Sequence, residues 1–404
     1  MKIPFSPPRI DQKIIDEVVD TLKSGWITTG PKTKLFEKKI TEYCGCKATL
    51  CLNSATAGLE IILRWFGVKE GDEVILPAYT YAATANVIVH CGAKPVFVDI
   101  GDDFNISVHE MRKAITSKTK VIMPVDFGGW PCDYDQINSL VTQEGIVSKF
   151  EPDGDIQKKL GRILILSDAA HSLGANYKGK KIGSATDVTV FSFHAVKNLT
   201  TAEGGAIALN LPEPFDNTEV YRHLLIKTLH GQNKDAFSKQ IPGAWKYDII
   251  EAGYKFNMTD ILASIGLIEL ERYENDTLVK RKQLVEYYNH LLSRFDWAIL
   301  PCYLGDNIES SYHLYPLRIK NLTETQRDAI ITEISETGIS VNVHFMPVPM
   351  MTFYKSLDYD IKNYPVSYNN YQAEISLPVF YDMTFEQVSI IVSELEKAIA
   401  NILN

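Results

Sequence analysis

The sequence lacks the segments that carry a chain into or across a membrane. No uncharged apolar run approaches the roughly 20 residues that a membrane-spanning helix requires. The opening stretch, MKIPFSPPRI, has no apolar region after its basic start, so we expect no signal peptide. An excess of positive charge is also missing, since the net charge is −9, which argues against a surface for nucleic acid or anionic lipid. These features predict a cytoplasmic protein whose partners include neither nucleic acid nor a membrane.

The six cysteines lack the spacing of a metal site or a redox motif. None forms a CxxC pair, and Cys44 and Cys46 have no cysteine or histidine downstream at metal-ligand spacing. We therefore expect reduced, structural thiols and no metal. A Walker lysine and a GxGxxG sequence are also missing from the small-residue segment at 53–58, which disfavours nucleoside triphosphates and dinucleotides.

What the sequence does contain is a series of short apolar, β-branched runs in a chain of 404 residues, 45% of them hydrophobic. That length exceeds what one hydrophobic core usually holds, so we expect two domains. Several runs are apolar on both faces, as strands covered by helices on both sides are, and helix-like segments separate them. The pattern predicts an α/β domain over residues 1–260 with a mostly parallel seven-stranded sheet. The predicted strands are ATLCLN (48–53), EVILP (73–77), PVFVDI (95–100), KVIMPVDF (120–127), RILILSDAA (162–170), VTVFSF (188–193) and GAIAL (205–209).

The pattern changes after residue 260. Residues 259–295 are almost continuously helical in pattern, and residues 310–400 return to short strands and amphipathic helices. We expect a long connecting helix followed by a smaller α+β domain over residues 261–404. Residues 147–161 are charged and rich in turn formers, which predicts an exposed excursion from the first domain.

Three polar features follow predicted strands, at the edge where open α/β sheets bind ligands. Residues 53–58 (NSATAG) begin a helix, whose N–H groups could cradle a phosphate or merely be capped by Ser54. Asp168 ends a buried run and therefore needs a cationic partner or a proton, although a cap or a structural ion pair is the alternative. Lys197 lies in a third such place, where a depressed pKa would make it a nucleophile; the alternative is a surface lysine.

Together, a phosphate cradle, a buried aspartate and a strand-end lysine suit pyridoxal 5′-phosphate (PLP). The lysine would form a Schiff base with the aldehyde, the aspartate would keep the pyridine nitrogen protonated, and the helix end would anchor the phosphate.

The motif DAAH, followed by FSFHAVKNLTTAEGG, resembles the DegT/DnrJ/EryC1/StrS family of PLP-dependent sugar aminotransferases. The resemblance extends over nearly the whole chain and includes WITTGPKTKLFEKKI (26–40), NSATAGL (53–59), LPAYTYAATANVI (76–88), GAKPVFVDI (92–100) and GYKFNMTDI (253–261). The variants SATAGL, FSFHAVKN and GYKFNM look most like the branch that makes UDP-4-amino-4-deoxy-L-arabinose for lipid A modification. The implied fold is that of PLP-dependent transferases of fold type I, which is aspartate aminotransferase-like.

The resemblance also implies catalytic roles. Lys197 would be the Schiff-base lysine and would carry the proton of the 1,3-transfer. Asp168 would pair with the pyridine nitrogen, and His171 would lie near the phenolic oxygen of the cofactor.

Further positions would bind the cofactor. Thr56 and Ala57 would hold its phosphate with help from Ser192, and Tyr81 would stack on its ring. Asn257 would reach the phosphate in the neighbouring subunit, so the resemblance implies a homodimer with shared active sites.

The implied reaction moves an amino group from L-glutamate to a keto group of a nucleotide-linked sugar, for cell-surface polysaccharide or lipopolysaccharide biosynthesis. C4 is the first choice for the acceptor carbon and C3 the second; a non-catalytic regulatory protein on the same fold is the alternative. One departure concerns Pro349, which stands where many relatives have a second histidine near the sugar nucleotide. His344 could either contact substrate or only pack in a strand.

Overall fold

The structure of the protein is a computed structural model that describes residues 2–233 and 246–403. Its central feature is a seven-stranded sheet in the order β1-β9-β8-β5-β4-β2-β3. Strand β9 runs antiparallel to both neighbours and the other pairings are parallel, which confirms the predicted mostly parallel sheet. These strands are β1 (Ala48–Leu52), β2 (Glu73–Pro77), β3 (Lys94–Val98), β4 (Thr119–Ile122), β5 (Leu164–Asp168), β8 (Val188–Ser192) and β9 (Gly205–Leu209).

Helices surround this sheet and bury its apolar faces, which explains why the strands do not alternate between apolar and polar residues. They are α1 (Gln12–Lys23), α2 (Pro31–Cys44), α3 (Ala55–Trp65), α4 (Ala82–His90), α5 (Val108–Ala114), α6 (Tyr134–Thr142), α7 (Glu144–Val147), α8 (Asp155–Leu160) and α9 (Asn217–Lys227), with a 3-10 turn at Phe127–Gly129. Helix α3 passes close to the sheet at Gly58, where a Cβ would lie 2.9 Å from a methyl carbon of Val190. A larger residue there would push the helix away from the strands.

The C-terminal part begins with a nearly continuous helical stretch. It comprises α10 (Asp260–Arg272), a π-helical turn (Tyr273–Thr277) and α11 (Leu278–Leu292). The remaining helices are α12 (Glu324–Glu336), α13 (Thr352–Lys355), α14 (Pro365–Ala373) and α15 (Phe385–Leu403), with 3-10 turns at Val348–Met350 and Ile361–Asn363.

Two smaller sheets complete the fold. Strands β10 (Ala298–Ile299), β13 (Tyr315–Ile319) and β14 (Glu374–Leu377) form an antiparallel sheet in the order β10-β13-β14. Strands β11 (Leu304–Gly305) and β12 (Ile308–Glu309) join the hairpin of β6 (Asn176–Tyr177) and β7 (Lys180–Lys181). This second sheet ties the C-terminal part of the chain to the α/β part.

The buried side chains form two large clusters, one beneath each part of the chain. Leu267 and Leu270 of α10 belong to the first cluster, whereas Ile3 lies in the second and its N–H donates to the carbonyl of Gly338 at 2.9 Å. The domain boundary at residue 260 stays a prediction. The contacts show that residues after 260 pack in the first cluster and that a residue near the N-terminus packs in the second.

The segment 147–161 is exposed over most of its length. It is nevertheless anchored, because Phe150 and Gln157 are buried and Gln157 Nε2 donates to the carbonyl of Phe66 at 3.0 Å. Within the two described ranges, no helix is both long enough and apolar enough to span a membrane.

Candidate active site

A cavity of about 470 Å³ lies where the carboxyl ends of the central strands face the C-terminal part of the chain. Six of the eight predicted site residues line it: Thr56, Tyr81, Asp168, His171, Ser192 and Lys197. The C-terminal part contributes three rings to the opposite wall, those of His313, His344 and Phe345. Parallel strands bring these distant sequence positions together because their carboxyl ends share one edge of the sheet.

Asp168 ends β5 and its carboxylate lies almost fully inside the protein, with 6% of the residue exposed. Thr84 Oγ1 donates to Oδ2 at 2.8 Å, and the N–H of Ala170 donates to Oδ1 at 3.2 Å. Burial raises the pKa of Asp168, whereas these hydrogen bonds and the charge of Lys197 lower it. Both of these donors are neutral and no basic side chain among the described residues bonds to the carboxylate, so a cationic group in the cavity would complete its environment.

Lys197 follows β8 in a tight turn, in which its N–H donates to the carbonyl of His194 at 2.9 Å. Burial lowers the pKa of Lys197 to about 8, and the charge of Asp168 opposes that shift. A primary amine with this pKa is partly neutral near physiological pH, which is the form that attacks an aldehyde.

The N-terminus of α3 forms one wall of the cavity. Ser54 caps the helix, since its Oγ accepts the N–H of Ala57 at 3.1 Å. The N–H groups of Ala55 and Thr56, which both line the cavity, have no acceptor within the helix. They can therefore receive an anion, and the helix dipole favours one.

Gly205 allows the backbone of β9 to approach this helix end. A Cβ at Gly205 would lie 2.4 Å from the nitrogen of Ala55 and 2.5 Å from the carbonyl carbon of Ser54. Both are backbone atoms that cannot turn aside, so the geometry of the helix terminus depends on a glycine at this position.

Two neutral histidines face each other beside Lys197. The N–H of Gly128 donates to His171 Nδ1 at 3.2 Å, which leaves the imidazole proton on Nε2. His313 Nδ1 lies 2.9 Å from Asn198 Oδ1, so that nitrogen carries the proton of His313. The ring centroids are 4.4 Å apart. Burial, the charge of Lys197 and neighbouring histidines keep the pKa of both groups well below the usual value.

His313 is held in place by a buried arginine of α11. Arg281 donates from Nε to the carbonyl of Tyr312 at 2.8 Å and from Nη2 to the carbonyl of His313 at 2.6 Å. Burial lowers the pKa of Arg281 to about 10. The guanidinium group of Arg281 therefore fixes the backbone that carries His313 at the cavity.

The predicted residues differ in how far the structure brings them to the cavity. Tyr81 presents an exposed ring, 62% of the residue, whose centroid lies 5.7 Å from that of Phe345. Ala57 does not line the cavity of the single chain, and its N–H is bonded to the cap of α3. Asn257 also lies outside the cavity lining, and its Nδ2 donates to Thr29 Oγ1 at 2.6 Å.

Sequence reasoning missed four residues that shape the site: Thr84, Asn198, Arg281 and His313. Thr84 lies three residues after Tyr81 on the same helix and Asn198 lies next to Lys197, so their proximity to predicted residues was a usable signal. Arg281 carried none, since an arginine in a helical pattern reads as a solvated side chain.

The cavity fits PLP in three independent respects. Asp168 needs a cation, the free N–H groups of α3 suit a phosphate, and Lys197 has a depressed pKa on the same cavity wall. Together with the sheet order, these features define an aminotransferase of the PLP-dependent fold type I class.

Comparison with known proteins agrees with that class of enzyme and identifies the family within it. The profile of the DegT/DnrJ/EryC1/StrS aminotransferase family matches residues 8–396. The chain belongs to this family, and its cofactor is PLP.

Relatives align along almost the entire chain. An uncharacterized protein of Methanocaldococcus jannaschii is 41% identical over 402 residues, 98% of each chain. The spore coat polysaccharide biosynthesis protein SpsC of Bacillus subtilis is 35% identical over 391 residues, which cover 96% of this chain and 94% of SpsC.

Solved structures superpose equally completely. Spr1654 of Streptococcus pneumoniae, classed among the sugar aminotransferases, has in its pyridoxamine form a TM-score of 0.95 at 46% identity, covering 99% of this chain and all of that one. Its PLP form has the same TM-score at 44% identity and covers both chains completely. PseC of Helicobacter pylori, an aminotransferase involved in pseudaminic acid biosynthesis, has a TM-score of 0.85 at 28% identity over 99% of this chain and all of that one.

These findings confirm the predicted family, fold class, cofactor and enzymatic nature of the protein.

Proposed function

We propose that the protein transfers an amino group from L-glutamate to a keto group of a nucleotide-linked sugar, at C4 in preference to C3. The observation that carries this proposal is the placement of Asp168 and Lys197 on one cavity, with a free helix N-terminus beside them. The resemblance to sugar aminotransferases, and to proteins named for polysaccharide and pseudaminic acid biosynthesis, supports a sugar substrate. A cytoplasmic location and the arabinose branch remain predictions from the sequence.

The proposed roles follow from the environment of each group. Bound PLP supplies an aldehyde that accepts amino groups and a ring that absorbs an electron pair. Asp168, desolvated and held by Thr84, would keep the proton on the ring nitrogen. The N–H groups of Ala55 and Thr56 would bind the phosphate.

Lys197 would move a proton from Nζ within the cavity, because its pKa of about 8 lets the amine both take up and release that proton near neutral pH. His171 would donate from Nε2 toward an oxygen acceptor, since Gly128 occupies its Nδ1. Tyr81 would cover one face of the cofactor with its exposed ring.

Two neutral imidazoles give the cavity hydrogen-bonding groups for a hydroxylated substrate. His313 offers an unprotonated Nε2 as acceptor, His171 an Nε2–H as donor, and both are neutral. Sugar hydroxyls can both donate to and accept from such groups.

We further propose a homodimer that shares its active sites. Leu22, Ile27 and Leu35 are 53%, 49% and 44% exposed, which is a large apolar area to leave in water. This surface adjoins Asn257, whose side chain bonds Thr29 two residues from Ile27. A second subunit covering this surface would bring Asn257 to its own cofactor phosphate, as the family resemblance implies.

The experiment follows both halves of the reaction. Purified enzyme loaded with PLP should show an absorbance band from the lysine-bound cofactor, and L-glutamate should bleach that band. The resulting pyridoxamine form is then offered 4-keto and 3-keto nucleotide sugars, and return of the band together with nitrogen in the product identifies the acceptor.

Each outcome tests one part of the proposed reaction. Failure of glutamate to bleach the band rejects the amino donor, and failure of every keto sugar to restore it rejects the substrate class. Restoration by 3-keto sugars alone moves the reaction to C3.

A further inference from the structure

Behind the cavity, three polar side chains form a chain of hydrogen bonds that no assigned role explains. His344 lines the cavity, and its Nδ1 lies 2.9 Å from Ser376 Oγ. Ser376 Oγ in turn donates to Glu374 Oε1. Glu374 and Ser376 lie two residues apart on β14, so their side chains share one face of the strand, and both residues are completely buried.

Contacts other than the hydrogen bond to Ser376 also hold His344 in place. Its N–H donates to Glu374 Oε2 at 3.0 Å, and its carbonyl accepts from the hydroxyl of Tyr79 at 2.7 Å. Phe5 stacks on the ring with centroids 5.4 Å apart. The second ring nitrogen, Nε2, is therefore presented to the cavity by a rigid support rather than by a mobile loop.

We propose that Glu374, Ser376 and His344 form a proton relay that opens on the cavity at His344 Nε2 and serves the oxygen of the substrate's keto group as acid and base. The identity of the oxygen rests on the proposed function, whereas the relay itself rests on these three side chains.

The relay has two hydrogen-bonded forms. When Glu374 is ionised, His344 Nδ1–H donates to Ser376, Ser376 donates to Glu374, and Nε2 is an acceptor. A proton that binds Nε2 displaces the Nδ1 proton to Ser376 Oγ, whose own proton moves to Glu374 Oε1. One proton is taken up, the imidazole stays neutral with its N–H on Nε2, and the carboxylate becomes a carboxylic acid. The reverse sequence releases one proton at Nε2.

Energetics favour placing the proton on the carboxyl group rather than on the ring. Burial and the charge of Lys197 lower the pKa of His344 to about 4, which disfavours an imidazolium ion. Burial raises the pKa of Glu374 to about 8, against the hydrogen bonds of Ser376 and His344 and the charge of Arg327. Near neutral pH the protonated carboxyl group therefore predominates and Nε2–H points to the cavity, ready to donate.

The charged and titratable groups around the relay also favour a proton on Glu374 over an imidazolium ion at His344. Lys197 faces His344 from the central sheet, and the neutral His171 and His313 lie on the same side. Arg327 of α12 and the hydroxyl of Tyr79 lie on the side of Glu374. Asn342, whose Nδ2 is 3.5 Å from His344 Nε2, is exposed and can turn away when Nε2 carries the proton.

The direct test is histidine-tautomer NMR on the PLP-loaded enzyme labelled with nitrogen-15 histidine, without any sugar substrate. The signal of His344 is assigned by its loss in H344Q. In the wild type we expect His344 to change from the Nε2–H to the Nδ1–H tautomer as the pH rises through about 8, with no imidazolium signal in that range. A fixed tautomer from about pH 6 to about pH 10 would overturn the relay.

Two variants separate the relay from simple packing. Glu374→Gln keeps the shape, and its amide oxygen is needed by the N–H of His344, which leaves the NH2 group to donate to Ser376. The Nε2–H tautomer should therefore persist at every pH. Ser376→Ala removes one oxygen and should uncouple the His344 tautomer from Glu374, which keeps the test available if Glu374→Gln does not fold. Glu37→Gln is the matched control, because Glu37 is also buried with a raised pKa but contacts Cys51, Tyr221 and Lys34, away from the cavity.

Kinetics then test the role in the reaction. Glu374→Gln should slow amino transfer to the keto sugar by about 10²-fold or more, the loss expected for an acid–base group. A tautomer switch with unchanged kinetics would overturn the assignment to the keto oxygen. Failure of all keto sugars to react would reject the proposed function while leaving the NMR result intact.

Discussion

Gly205→Ala should weaken PLP binding as well as the fold. The new Cβ would meet backbone atoms of Ala55 and Ser54 at 2.4 and 2.5 Å, so either β9 or the start of α3 must move. Overpacking of this kind costs about 1–3 kcal/mol of folding free energy. The moved atoms belong to the helix end that should hold the phosphate, and losing one hydrogen bond to a charged group costs roughly 1.5–3 kcal/mol. We therefore expect PLP to bind about 10- to 100-fold more weakly.

The assay is a PLP titration of the apoenzyme followed by absorbance, together with denaturant unfolding of the same preparations. Gly145→Ala is the matched control, because a Cβ there meets nothing within 4 Å inside a short helix. That substitution should leave PLP affinity unchanged and alter stability by at most ~1 kcal/mol in the favourable direction. If Gly205→Ala binds PLP as tightly as the wild type, the helix terminus at Ala55 is not the phosphate site.

Three further outcomes test the site. Lys197→Ala should bind PLP noncovalently and lose turnover, as read from the absorbance spectrum and the rate of amino transfer; full activity would remove the lysine from its role. In the apoenzyme, an amine-reactive label should modify Lys197 with a midpoint near pH 8, because the neutral amine exists above its pKa and that pKa is lowered to about 8. Thr84→Val removes a hydrogen bond to a charged group, so it should raise the pKa of Asp168 further and weaken PLP binding roughly 10-fold. The loss of affinity should grow as the pH falls, and equal PLP affinity at about pH 6 and about pH 8 would contradict this.

The strands could be predicted because parallel, two-sided burial leaves a local signature. All seven predicted runs overlap a strand of the central sheet. The runs at 73–77 and 205–209 match β2 and β9, whereas the other five continue beyond the end of their strands. The run KVIMPVDF, for example, predicts one strand over 120–127, yet β4 ends at Ile122. The apolar run continues beyond β4 because Met123, Val125 and Phe127 are also buried, although they do not belong to a strand. Hydropathy reports burial and does not distinguish a strand from a buried loop.

The site was predictable where a residue follows a strand and unpredictable where a contact joins distant segments. Asp168 ends β5 and Lys197 lies in the turn that follows β8, so the sheet itself brings them to one edge. The relay joins His344 to residues that lie 30 and 32 positions later, and nothing in either segment alone indicates it. Asn257 illustrates a third case, since its proposed role depends on a second subunit.

The electrostatics of the cavity explain why so many histidines can surround one reactive lysine. Each imidazole that became cationic would repel the protonated amine of Lys197, and in turn Lys197 lowers the pKa of His171, His313 and His344. These three histidines are therefore neutral beside Lys197, and Glu374 binds a proton in the wall behind His344. An amine and a keto oxygen need protons at different moments of amino transfer. Separate groups with matched pKa values near 8 can supply both without placing two cations in one desolvated space.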